Sequence, residues 1–208
     1  MNKINYQKQL DEIIENIKKE NITPTLFLHS CCAPCSSYTL EYLSQYFKIT
    51  VYYFNPNISP EQEFIKRYNE QERLIKQMTF KNEVKLIKGD YDYNEFLSVA
   101  NGLENVPEGG ARCFKCYRMR LESSAKIAKQ QGFDYFCTTL SISPLKNSQK
   151  INEIGFDVAQ KYSVNWLPSD FKKREGYKRS IELSHEYDLY RQNFCGCVYS
   201  KKRLEKGE

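Results

Sequence analysis

Seven of the eight cysteines fall into three tight groups: Cys31, Cys32 and Cys35; Cys113 and Cys116; Cys195 and Cys197. A core cysteine behaves as a small hydrophobe and has no cause to recur at ligand spacing. The runs CCAPC, CFKC and CGC therefore point to thiolate chemistry: metal binding, redox, or both. The eighth, Cys137, stands in the apolar run Phe136 to Leu140 and reads as packing.

Three chemistries compete for these thiols. Cys32-Ala-Pro-Cys35 has the form of a thioredoxin-type dithiol, in which a helix N-terminus lowers the thiol pKa, but that use leaves the other clustered cysteines without a role. Paired Cys-x2-Cys knuckles would hold one structural zinc with four thiolates, again leaving thiols over. An iron–sulfur cluster spreads its thiolates over separate irons, so adjacent Cys31 and Cys32 can both serve, and this is the preferred reading. In Cys195-Gly196-Cys197 a disulfide would close a very small, strained and easily reduced ring, which suits redox exchange. Alternatively, the two thiolates clamp a metal from a turn that glycine permits.

The elements that must carry these groups alternate along the chain. Leu10, Ile13, Ile14 and Ile17 recur at helical spacing, and a break at residues 21–24 precedes a short apolar strand at 25–28. Helices over about 36–47, 60–78, 113–131 and 148–162 then interleave with strands over 49–54, 84–87, 135–140 and 164–167, before a basic helical tail. Short strands apolar on both faces, separated by helices, predict an α/β fold: a parallel sheet with helices on both faces and its site in loops at the strands' C-terminal edge. The first cysteine group follows the first strand directly.

At 208 residues, 40% hydrophobic and 14% aromatic, the chain is expected to form a single α/β domain, 1–208. Its first twenty residues are charged and lack an apolar signal core, and no window has membrane-spanning length, so a cytoplasmic protein with no membrane partner is expected. In that reducing compartment the cysteines argue against a disulfide scaffold. The net charge of +5 is concentrated in the basic C-terminal helical region 171–208, which carries the CGC motif and has ten Lys/Arg against six acids. Such a surface attracts RNA through counterion release; a solvated helix face is the competing reading.

Five motifs in order resemble one known family. They are His29-Ser30-Cys31-Cys32-Ala33-Pro34-Cys35, Phe54-Asn55-Pro56-Asn57-Ile58, Gly109-Gly110-Ala111-Arg112-Cys113-Phe114-Lys115-Cys116, Thr138 through Asn147 (TTLSISPLKN), and Leu189 through Cys197 (LYRQNFCGC). Together they are similar to QueH, the epoxyqueuosine reductases of queuosine tRNA modification. The resemblance implies a Rossmann-like fold related to the adenine-nucleotide α-hydrolase group, a [4Fe–4S] cluster without cobalamin, and two-electron removal of the epoxide oxygen from epoxyqueuosine in tRNA. It further implies Cys31, Cys32, Cys113 and Cys116 as cluster ligands and Cys195 and Cys197 as a redox-active pair. The family also allows a different partition, in which a separate mononuclear iron sits beside the cluster. Cys35 occupies a position that is Asp in some members, and Cys35, Cys195 and Cys197 would then be the thiols available to that iron.

In this reading an external electron donor supplies the cluster. Neither histidine is an obvious acid: His29 is placed to order the cysteine loop, His185 to face solvent, and Asp90 and Asp92 read equally as a proton source and as turn formers. Lys172, Lys173, Arg179 and Arg191 are the expected tRNA contacts, with Tyr190 for stacking. Asn55, Asn57, Ser143, Lys146 and Asn147 follow strands and are expected to line the substrate pocket, or else to form turns and caps. A zinc-stabilised RNA-binding module and a thiol–disulfide oxidoreductase are the alternative functions.

Overall fold

The computed structural model describes residues 4–205, with side chains through Lys201; residues 206–208 of the basic tail lie outside the described residues. Strands β1 (Thr25–His29), β2 (Lys48–Tyr53), β3 (Val84–Lys88), β4 (Tyr135–Thr138) and β5 (Asn165–Trp166) form one sheet in the order β3-β2-β1-β4-β5. Every neighbouring pair is parallel. The helices are α1 (Tyr6–Glu20), α2 (Ala33–Leu43), α3 (Glu61–Gln77), α4 (Tyr93–Ala100), α5 (Ala111–Gln130), α6 (Ser148–Tyr162), α7 (Gly176–Glu186) and α8 (Val198–Glu205). The expected parallel α/β architecture is the one found.

Successive strand residues point to opposite faces, and both faces are apolar. Phe27, Tyr52, Phe136 and Trp166 pack against Tyr117, Leu121 and Ala125 of α5 and Ile151, Ile154 and Val158 of α6. The alternate residues Leu26, Leu28, Ile49, Val51 and Cys137 pack against Leu10, Ile14 and Ile17 of α1 and Leu40 and Leu43 of α2. Cys137 is thus core, as expected, fully buried with its Sγ 3.2 Å from the Leu167 carbonyl.

Three local outcomes differ from the sequence expectation. The strand predicted to run to Leu140 ends at Thr138, whose hydroxyl accepts from the Leu140 amide (3.2 Å) and starts a 3₁₀ turn, Thr139–Ile142. Asp92 caps a helix that the sequence reading missed, α4, accepting from the Asn94 amide at 2.9 Å. The basic helical tail is two helices, α7 and α8, separated by the irregular segment 187–197 that contains the CGC motif.

The strand order fixes where a site can form. The chain leaves β1 towards β2 and β3, then returns to pair β4 on the other side of β1. Helical connections diverge at that switch and leave a crevice beyond the carboxyl ends of β1 and β4.

Candidate metal centre

At this crevice the ends of three strands are tied by His29. Its Nε2 lies 3.0 Å from the Phe54 carbonyl, which can only accept, so Nε2 carries the hydrogen and Nδ1 accepts from the Thr138 hydroxyl at 2.8 Å. Burial, reinforced by the charge of Arg120, pulls its pKa down to about 3 and keeps the ring neutral. The next residue, Ser30, shares Oε1 of the buried Gln71 with Ser36, each hydroxyl at 2.7 Å, which pins the cysteine loop to α3. His29 therefore orders the loop, as the sequence suggested.

Beyond Ser30 the chain delivers three thiols to one point. Cys32 is the residue before α2, Pro34 sits in the helix's first turn where its missing N–H is harmless, and Cys35 folds back beside the loop. The sulfurs of Cys31, Cys32 and Cys35 all lie within 4.8 Å of one another, the first two 3.8 Å apart. Hydrogen bonds from Cys32 and Cys35 hold the Cys31 thiol pKa well below its ordinary value. The same contact pushes Cys32 up to about 12, and Cys35 is raised well above the thiol range by its bonds to Cys31 and Cys32. One thiolate is all that this cage holds comfortably without a cation to replace the remaining protons.

The other four clustered thiols stand close by. Cys113, in the first turn of α5, packs against the core cluster that includes Cys31 and Cys32, while Cys116 packs with Cys197. Burial pushes Cys116 up to about 11 and Cys197 up to about 12, the field of Cys195 adding to both. The CGC segment is brought here by backbone bonds: Ser59 N–H donates to the Gly196 carbonyl (2.9 Å) and Arg67 Nη1 to that of Cys195 (3.3 Å). Gly196 adopts φ +105°, a conformation that favours glycine.

Two arginines unforeseen in the sequence are buried among these sulfurs. Arg67, 2% exposed, bonds Glu63 at 2.6 Å; Arg120, 1% exposed, bonds the Asn55 side chain at 3.4 Å. Each keeps Nη2 without a hydrogen-bond partner. Desolvation opposes both charges, but the thiols outweigh it, Cys32 acting on Arg67 and Cys116, Cys195 and Cys31 on Arg120, so both pKa values are raised. Converging thiols with buried, incompletely bonded guanidinium groups form a donor set that fits an anionic thiolate–metal centre. The signal was present in the sequence: Arg67 and Gln71 occupy the buried stripe of α3 with Phe64 and Leu74, where a cation needs an anionic neighbour.

A cleft of about 300 Å³ opens onto the thiols, lined by Cys31, Cys32, Cys35 and Cys195, by Ser143 to Lys146, and by Arg191 to Phe194. A larger hollow of about 680 Å³ lies between α4, α5 and Tyr162 and, unlike the smaller one, is lined by no thiol.

Comparison with known proteins agrees with this geometry. The family model for epoxyqueuosine reductase QueH matches residues 26–203. The chain belongs to the QueH family. It is 47% identical over 202 residues to the epoxyqueuosine reductase QueH of Streptococcus pyogenes, covering 96% of this chain and 79% of that one. The corresponding figures for the QueH of Staphylococcus epidermidis are 48% over 202 residues, 95% and 85%. Among solved structures, the U34-tRNA thiolase NcsA from Methanococcus maripaludis, with its [4Fe-4S] cluster, has the same fold. It aligns at a TM-score of 0.52 with 13% identity, over 98% of this chain and 75% of that one.

Within the QueH frame, the remaining expected site residues divide sharply. Ser143, Lys146 and Arg191 line the cleft. Asn147 instead caps α6, accepting from the Lys150 amide at 3.0 Å, and Asn55 spends its amide on the Ser30 carbonyl (2.8 Å). Asn57 is buried with its Oδ1 unpartnered. Lys172, expected on tRNA, straps the 3₁₀ turn, donating to the Ser141 carbonyl (2.8 Å) and pairing with Asp170 (3.0 Å). Arg179 is held by Glu41 at 2.7 Å, with Glu182 and Glu186 nearby. Tyr190 bonds Glu63 and has the Lys66 ammonium 3.4 Å above its ring, so one face is already covered. Lys173 is exposed, as is His185. No described helix is long and apolar enough to cross a membrane.

Proposed function

We propose that the chain is an iron–sulfur epoxyqueuosine reductase, removing the epoxide oxygen from epoxyqueuosine in tRNA to give queuosine, in the cytoplasm. The observation that carries this reading is that a QueH family match over 26–203 coincides with a thiol-lined cleft at the sheet's switch point. Following the family motifs, Cys31, Cys32, Cys113 and Cys116 would hold a [4Fe–4S] cluster. Cys35, Cys195 and Cys197 would serve an additional iron, or the last two would act as a redox pair. The closeness of Cys35 to Cys31 and Cys32 favours a ligand over a free thiol.

When bound, the cluster supplies electrons one at a time from an external donor. The residues of this chain do the rest. Arg67 and Arg120 offset thiolate charge inside the fold, Ser143 and Arg191 present polar atoms to the modified base, and Lys173 with the basic tail attracts the tRNA backbone. The chain would act as one unit, 1–208, with residues between Tyr177 and Ser200 of its basic C-terminal region lining the cleft.

Protein purified without oxygen should contain iron and acid-labile sulfide. With epoxyqueuosine-containing tRNA and dithionite, mass spectrometry of the nucleosides should show loss of one oxygen. Zinc as the only metal would refute the reading and favour an RNA-binding module. Cys35→Ser should lower the iron content per chain, while Cys137→Ser leaves it unchanged.

A further inference from the structure

Of the residues lining the thiol cleft, Lys146 alone carries an ammonium group, and among the described residues it forms no ion pair or side-chain hydrogen bond. The one acidic residue on the same walls is Glu108, which has interactions of its own. The ammonium is held in place through its backbone. The Lys146 amide donates to the Ser143 carbonyl (3.1 Å), the Ser143 amide to that of Leu140 (3.4 Å), and Lys172 Nζ straps the Ser141 carbonyl from behind. Ser141 and Ser169 hydroxyls 3.1 Å apart fix the turn to the segment after β5. A half-buried cation thus lines the same cleft as Cys31, Cys35 and Cys195, with no carboxylate paired to it among the described residues.

The other nitrogen-bearing groups here are poorly suited to give up a proton. Arg67, Arg120 and Arg191 are guanidinium groups, which do not deprotonate in proteins. His29 is fully buried with both ring nitrogens engaged.

Resting on the reductase reading above, we propose that Lys146 contacts the epoxide oxygen and donates the proton it needs as it leaves carbon. Opening the epoxide breaks two C–O bonds, forms one C=C bond and releases water, consuming two electrons and two protons. The two electrons would come one at a time from a low-potential one-electron donor, by way of the cluster that the cysteines would hold. As the first C–O bond breaks, the oxygen takes the Lys146 proton. Reprotonated from solvent, Lys146 gives the second as the hydroxyl departs as water. A group in contact with the oxygen also reads its presence before any chemistry.

The test uses the anaerobically purified, iron-loaded protein and two tRNAs, one with epoxyqueuosine and one with queuosine, which lacks the oxygen. Wild type should bind the first about tenfold more tightly, the size of one hydrogen bond from a charged group. Lys146→Met should erase that preference, keep the iron content, and lower the single-turnover rate by about 100-fold or more. Lys146→Arg should keep the preference but not the rate, and methylammonium should partly restore turnover in Lys146→Ala. An active wild type with Lys146→Met within about threefold of it would overturn the assignment. So would loss of iron in that variant, which would make the residue structural. A wild type that never removes the oxygen would instead overturn the reductase reading itself.

Discussion

Gly196→Ala is the most direct test of how the CGC segment is presented. At φ +105°, an alanine carries backbone strain of about 1–3 kcal/mol. Its Cβ would stand 2.9 Å from Ile58 Cγ1 and 3.0 Å from Arg67 Nη1. Neither neighbour can retreat: Ile58 is 1% exposed, and Arg67 is fixed at 2% exposure by its bond to Glu63. Relief comes from lifting the segment, which gives up the Ser59-to-Gly196 and Arg67-to-Cys195 hydrogen bonds. A total near 3 kcal/mol lowers the docked population about 100-fold. Because residues 187–197 lie outside the two cores on the sheet faces, the urea midpoint of the whole chain should move far less than the segment does. On metal-free protein, alkylation of Cys195 and Cys197 and hydrogen exchange at the Ser59 amide should both accelerate by about the same 100-fold. Rates within about threefold of wild type for both probes would refute the strain argument.

Two further outcomes follow from buried polar groups. Asn152 is fully buried and bonds the carbonyls of Ser148 and Ser169 (2.8 Å each), the Trp166 indole N–H (3.0 Å) and the Ser169 amide (3.0 Å). Asn152→Ala strands several of these groups at about 1–3 kcal/mol each, so urea unfolding should show a loss of about 3 kcal/mol or more, and a loss below about 1 kcal/mol would contradict it. His29, pulled from 6.5 to about 3 by burial, is neutral when folded, whereas the unfolded chain takes up a proton below 6.5. Its contribution is complete above that pH and falls by up to about 1.4 kcal/mol per unit as pH drops through the window towards 3. Stability measured against pH should therefore decline less steeply in His29→Gln than in wild type.

The sequence by itself determined the layered fold, because strands apolar on both faces can be satisfied only by helices on each side, and it separated the seven cysteines that cluster at ligand spacing from the one that packs. Cys137 was separable from the other seven since it lies inside a strand-like apolar run. The five ordered motifs also carried the family. What only the tertiary structure decided are contacts between residues far apart in the chain. Cys35 joins Cys31 and Cys32 because α2 starts about three residues earlier than its hydrophobic pattern suggests. Arg67 meets Cys195 across 128 positions, and Arg120 reaches Asn55 across 65. Charge alone likewise could not separate free cations from spent ones: Arg179 and Lys172 are neutralised or strapped by Glu41 and Ser141, residues that no local pattern links to them. Lys146 keeps its charge available because the turn after β4 holds its backbone while its ammonium pairs with no carboxylate among the described residues. Side-chain type sets what a group can do; only folding sets what it still has left to do it with.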